Sequence, residues 1–119
     1  MCEDRSIYVN MPQALERVRG NKTLYRRMLN LFLDSPEFAL LEERLASKDY
    51  EKAAVTAHTI KGMTGNLSLN AIFELSAALM SECRQGAPNA ETITQYREAY
   101  QKTVAAVKEV AAEIDAGMA

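Results

Sequence analysis

One histidine stands in this chain of 119 residues, His58. Lys61, Gly62 and Gly65 follow it at i+3, i+4 and i+7, a spacing that puts all four on one side of an α-helix. A second stripe, Tyr50, Ala53, Ala57, Ile60, Thr64 and Leu67, carries the small and apolar residues of a buried helical face. At about 100° per residue the two stripes are centred roughly a third of a turn apart. His58 is therefore expected at the edge of the core, open to water, with Lys61 one turn further on. Each glycine costs about 1 kcal/mol relative to alanine in a helix interior. A helix that uncovers its histidine in this way suits the approach of something bulky. The plainer reading is a close helix–helix crossing beside an ordinary surface histidine.

A neutral imidazole nitrogen is a competent nucleophile toward phosphorus near neutral pH. Once attached, a phosphoryl group carries close to two negative charges, and Lys61 lies within side-chain reach to screen and hydrogen-bond it. A mid-helix position offers no free terminal N–H groups, which raises the share expected of Lys61. No carboxylate pair flanks His58 to hold magnesium, no glycine-rich nucleotide loop is present, and no Ser/His/Asp arrangement can be assembled. The residues suit an acceptor and donor of phosphoryl groups, not an enzyme. No cofactor is expected on this chain; magnesium and an acidic pocket would belong to its partner.

At these residues the sequence resembles the histidine phosphotransfer (HPt) domains of multistep two-component signalling. The string His58-Thr-Ile-Lys61-Gly62, continued by Met-Thr-Gly65-Asn66-Leu67, is similar to that family's phosphorylation-site helix. Upstream, Gly20 to Tyr25 and Leu29 to Phe32 resemble the opening of its first long helix; downstream the likeness runs through Leu75, Leu79 and Arg84. Two departures stand out: Ser68-Leu69 where the family usually has Gly-Ala, and Met80 where some members carry a polar residue facing the histidine. The resemblance implies that His58 takes a phosphoryl group from a phospho-aspartyl receiver domain or a kinase and passes it to a response-regulator aspartate. The implied partners are receiver domains and an upstream sensor histidine kinase. Val55, Thr59, Gly62 and Asn66, with Met80 from the next helix, are the candidate docking surface; otherwise they are plain surface.

The remaining composition agrees with a compact helical protein: 48% hydrophobic residues, with 5 glycines and 3 prolines. A net charge of −2 from 14 basic and 16 acidic residues gives no basis for nucleic-acid binding. Cys2 and Cys83 read as reduced thiols in a cytoplasmic protein, since no spacing suggests a disulfide framework or a zinc site. Residues 1–10 lack the basic and apolar regions of a signal peptide, and no apolar run approaches the roughly 20 residues that span a membrane. The initial methionine and ragged tail suggest a chain that stands alone.

The stripes and caps predict an all-α fold, an up-down antiparallel four-helix bundle with a short N-terminal capping helix. Residues 1–9 form an arm ordered through Ile7 and Val9. Asn10 and Pro12 open the capping helix, in which Met11, Leu15 and Val18 are expected to be buried. The bundle helices are expected at about 22–47, 49–67, 70–85 and 89–115. In the first, Leu24, Met28, Leu31 and Phe32 should face inward, and Ser35-Pro36 should either kink it or start a new helix with Ser35 as cap; a kinked, nearly continuous helix is favoured. The second is expected to fray near residues 66–68. Asn89 is expected to cap the last, with Ile93, Tyr96, Tyr100, Val104, Val107, Ala111 and Ile114 inward. Two other readings compete: a helical adaptor that is never phosphorylated, and the phosphoacceptor domain of a chemotaxis-type kinase. A pure adaptor has no need of the His58-x-x-Lys61-Gly62 set.

Overall fold

Short polar caps and glycine stops cut the chain into successive helices. The computed structural model describes residues 5–117, and among them lie six α-helices, one 3-10 turn and no strand. The helices are α1 (Met11–Arg17), α2 (Lys22–Leu33), α3 (Glu37–Ala46), α4 (Tyr50–Asn66), α5 (Asn70–Arg84) and α6 (Ala90–Asp115). At about 1.5 Å per residue the 26 residues of α6 run about 39 Å, most of the molecule's 46 Å long axis. α4 packs most closely against α5, α3 lies along α4, and α6 closes the bundle against α5 and α2. The histidine helix is thus held from two sides and left open on a third.

The expected long helix over 22–47 is two helices. Pro36 has no N–H to continue the ladder, and the Ser35 hydroxyl accepts from the Glu37 amide at 3.2 Å, which starts a fresh helix. α2 is also rotated from its expected face. Phe32 is buried as expected and Met28 is partly buried, but Tyr25 and Leu29 complete the inner line, whereas Leu24 is 42% and Leu31 69% exposed. Both stripes have the same helical spacing; the one with the larger rings is inward because Tyr25 can bury its hydroxyl. That hydroxyl donates to the Leu67 carbonyl at 3.1 Å, so no polar group is stranded. α3 presents Phe38, Leu41 and Leu45 to the core, and the Phe38 and Tyr100 rings stack 4.6 Å apart.

α6 carries its buried line through Tyr96, Ala99, Thr103, Ala106, Val107, Val110 and Ala111. Ile93, Tyr100, Val104 and Ile114 flank that line, partly buried. The small residues lie at the centre because a long helix closing a bundle must come close to its neighbours. Its N-terminus is capped from another helix: the Glu82 carboxylate accepts from the Asn89 amide at 2.7 Å and the Thr92 hydroxyl at 2.9 Å. The Asn89 side chain itself makes no cap bond.

At the N-terminal end, Val9 is buried but Ile7 is 51% exposed. Arg5 pairs with Glu113 instead and ties the arm to α6, holding that carboxyl below its usual range by donating to it. In α1 the buried residue is Ala14, while Met11, Leu15 and Val18 are half-buried. Cys83 is buried as a free thiol, and burial pushes its pKa up; Cys2 lies outside the described residues.

Candidate functional site

α4 owes its helical form to its ends and to its small residues. The Asp49 side chain accepts from the Lys52 amide at 3.3 Å, capping the first turn. Ala53, Ala54 and Ala57 combine high helix propensity with a thin profile, so α5 can lie close. Thr64 is buried, and its hydroxyl is satisfied by the Ile60 carbonyl at 2.8 Å. The helix ends at Asn66, within the expected stretch, and a hydrogen-bonded turn follows it. The Leu69 amide donates to the Thr64 carbonyl at 2.9 Å and the Ser68 amide to the Gly65 carbonyl at 3.2 Å, a Schellman stop. Ser68 occupies the left-handed position of that stop with φ +57°, the conformation a glycine takes without strain.

His58 is exposed on the outer face of this helix, two turns in from its start. It makes no hydrogen bond or ion pair with the described residues, so both ring nitrogens are available. Lys61, Gly62, Gly65 and Asn66 line the same groove, of about 460 Å³, together with Gln13 and Arg17 of α1 and Asn70 and Phe73 of α5. No carboxylate is among the lining residues. Lys61 is half-buried, its ammonium 5.8 Å from the centre of the Phe73 ring. That contact steers a flexible lysine along one wall of the groove, and its charge meets no anion among the described residues.

The two glycines have different reasons. A methyl group at Gly62 would meet nothing within 4 Å, so its absence leaves open space beside the imidazole. A methyl group at Gly65 would stand 3.0 and 3.1 Å from two carbons of the Phe73 ring. Gly65 is therefore the close helix–helix contact of the plainer reading, and it serves the site only through the ring it admits.

The docking candidates divide in the same way. Val55 is 61% exposed, and Thr59, Gly62 and Asn66 are exposed with it along one side of α4. Met80 is half-buried against the core and does not line the groove; Asn70 and Phe73 are the α5 residues that do. A smaller groove, lined by Met28, Leu31, Met63, Asn66 and Leu67, continues the face onto α2. Sequence reasoning placed Met28 and Leu31 in the core and gave no role to Phe73, Gln13 or Arg17. Phe73 had a signal, an aromatic eight residues beyond Gly65 across a tight turn. The two α1 residues had none, since their place depends on how α1 docks.

Among the described residues there is no cluster of three or more side chains able to hold a metal ion. A family model described as "Hpt domain" matches residues 27–116. The chain belongs to the Hpt family. No curated protein and no solved structure matches it. As an Hpt domain the chain has a histidine phosphotransfer role in phosphorelay signalling, and Hpt domains are phosphocarriers. Hpt domains work with receiver domains and histidine kinases. No helix among the described residues is long and apolar enough to cross a membrane. The Hpt match starts after α1, so Gln13 and Arg17 lie outside it.

Proposed function

We propose that His58 is the phosphoryl acceptor, taking the group from the aspartyl phosphate of a receiver domain or from a kinase and passing it to a receiver aspartate. The observation that carries this reading is an exposed, unpartnered imidazole in a groove with Lys61 and no carboxylate. The lone pair of the unprotonated ring nitrogen forms the N–P bond as the P–O bond to the aspartate breaks. The electron pair leaves on the carboxylate, and the ring keeps its proton on the other nitrogen. Transfer to the next receiver is the same step reversed.

Positioning and charge are all that such a transfer asks of the protein. Gly62 leaves the in-line approach clear, and Lys61 meets the incoming negative charge. Magnesium and the acidic pocket belong to the receiver, since the groove offers a divalent cation no anionic ligand. The receiver docks over the outer face of α4 through Val55, Thr59 and Asn66, with Met28, Leu31 and Met63 as an apolar margin. An exposed apolar margin beside a polar centre is a common form of protein contact. The cytoplasm is where this exchange takes place. Incubation with receiver domains labelled on aspartate, followed by peptide mapping, tests the reading. Label on the peptide containing His58 is expected; stable complexes with no label moved would favour an adaptor.

A further inference from the structure

Arg17 is in the last turn of α1 and lines the same groove as His58 and Lys61. Arg5, Arg26 and Arg97 are each committed to a carboxylate. Arg17 is exposed and has no such partner among the described residues. Its helix is nonetheless fixed. The Asn10 amide donates to the Ser68 carbonyl at 3.0 Å, tying the start of α1 to the turn that ends α4. The Asn70 side chain donates to the Gln13 side chain at 3.3 Å, and Ala14 is 1% exposed. Gln13 and Arg17 are four residues apart, so both look out from the same side of α1. A short helix pinned at three points thus presents a free guanidinium to the histidine groove.

The groove's polar lining, besides the imidazole, is two cations and three amide side chains. Such a surface is rich in donors and poor in anions. Lys61 lies against Phe73 on the α5 wall, which leaves the α1 side of a phosphoryl group without a charge of its own. A guanidinium supplies two parallel N–H donors to phosphate oxygens, where an ammonium acts as a point charge.

We infer that Arg17 is a second phosphoryl-binding residue, contributed by a helix outside the family match, and that it holds the phosphoryl group on His58 from the side opposite Lys61. The inference rests on His58 as the acceptor. As the N–P bond forms and the P–O bond of the donor breaks, the transferred group keeps its negative charge; Arg17 and Lys61 share it without exchanging a proton.

The test uses a small phosphodonor as well as a protein one. Wild type, Arg17→Ala, Arg17→Lys, Lys61→Ala and the double alanine variant are labelled with phosphoramidate, and separately by a phosphorylated receiver domain. Arg17→Ala is expected to take label from phosphoramidate about fivefold more slowly than wild type, the scale of a solvent-exposed charge pair. Its phosphohistidine half-life should shorten, with Arg17→Lys in between and the double variant below either single one. Melting temperature should stay within about 2 °C, because the side chain has no partner to lose. Unchanged phosphoramidate labelling and half-life in Arg17→Ala would overturn the inference. Slower transfer from the receiver alone would overturn it too, making Arg17 a docking residue. A wild type that takes no label from either donor would sink the phosphocarrier reading itself, and this inference with it.

Discussion

Substituting the two glycines of α4 separates what they do for the fold from what they do for the site. Alanine at Gly62 adds a methyl group that meets nothing within 4 Å. It also removes the glycine penalty of about 1 kcal/mol in a helix interior. For a chain of this size that gain corresponds to a melting temperature higher by about 4 °C. Alanine at Gly65 recovers the same propensity but puts its methyl 3.0 Å from the Phe73 ring, and overpacking of this kind costs about 1–3 kcal/mol. Because the ring is half-buried and can shift by a few tenths of an ångström, the net is expected between zero and a loss of about 1 kcal/mol. The two variants should therefore melt at least about 4 °C apart. Repeating Gly65→Ala in a Phe73→Ala background removes the collision, and the substitution should then stabilise as it does at Gly62. In phosphoryl transfer the order reverses: Gly62→Ala should slow receiver-dependent labelling several-fold, and Gly62→Leu by at least about tenfold, since crowding spoils the in-line geometry. Differential scanning calorimetry with a timed labelling assay measures both. Equal melting shifts at the two positions would refute the packing argument, and normal transfer by Gly62→Leu would refute the access argument.

Three further perturbations test other parts of the account. Ser68→Gly relieves a left-handed φ of +57° and deletes a buried hydroxyl with no partner, so thermal unfolding should show a gain of about 1 kcal/mol after the entropy of the added glycine. Glu82→Ala removes the acceptor for the Asn89 amide and the Thr92 hydroxyl and should cost about 1 kcal/mol, with hydrogen exchange rising first at the start of α6. Lys61→Ala should still accept label but lose roughly fivefold in phosphohistidine lifetime. Lys61→Arg should lie between it and wild type, and high salt should narrow the differences.

The all-α class was legible because caps and apolar stripes recur at one period along the chain. Asn10, the expected cap of α1, accepts from the amide three residues on, and Asn21 and Asp49 do the same for α2 and α4. What could not be read was any choice between equivalent stripes. Of the expected inward set Leu24, Met28, Leu31 and Phe32, Phe32 is buried, but the inner line runs on through Leu29 and Tyr25, whose hydroxyl meets the Leu67 carbonyl in the core. The break at Ser35-Pro36 was visible, and the helix is divided there, with the Ser35 hydroxyl accepting from the Glu37 amide. Asn89 holds the N-cap position of α6 as expected, but the side-chain acceptor at that end is Glu82 of a different helix. At the site, helical spacing alone set His58, Lys61, Gly62 and Gly65 along one groove. On the far side, Phe73 of α5 left only the faint mark of an aromatic just past a tight turn, and Arg17 of α1 left none, because its place is set by how α1 docks.

The central claim is that a phosphoryl group rides on His58, and the most direct measurement is transfer of labelled phosphate from a phosphorylated receiver to wild type and to His58→Gln. The variant should melt with wild type, because an exposed side chain without partners contributes little to stability. Wild type should take label that is lost in acid and kept in base, as an N–P bond requires, and His58→Gln should take none. Label on His58→Gln, or acid-stable and base-labile label on wild type, would contradict the account.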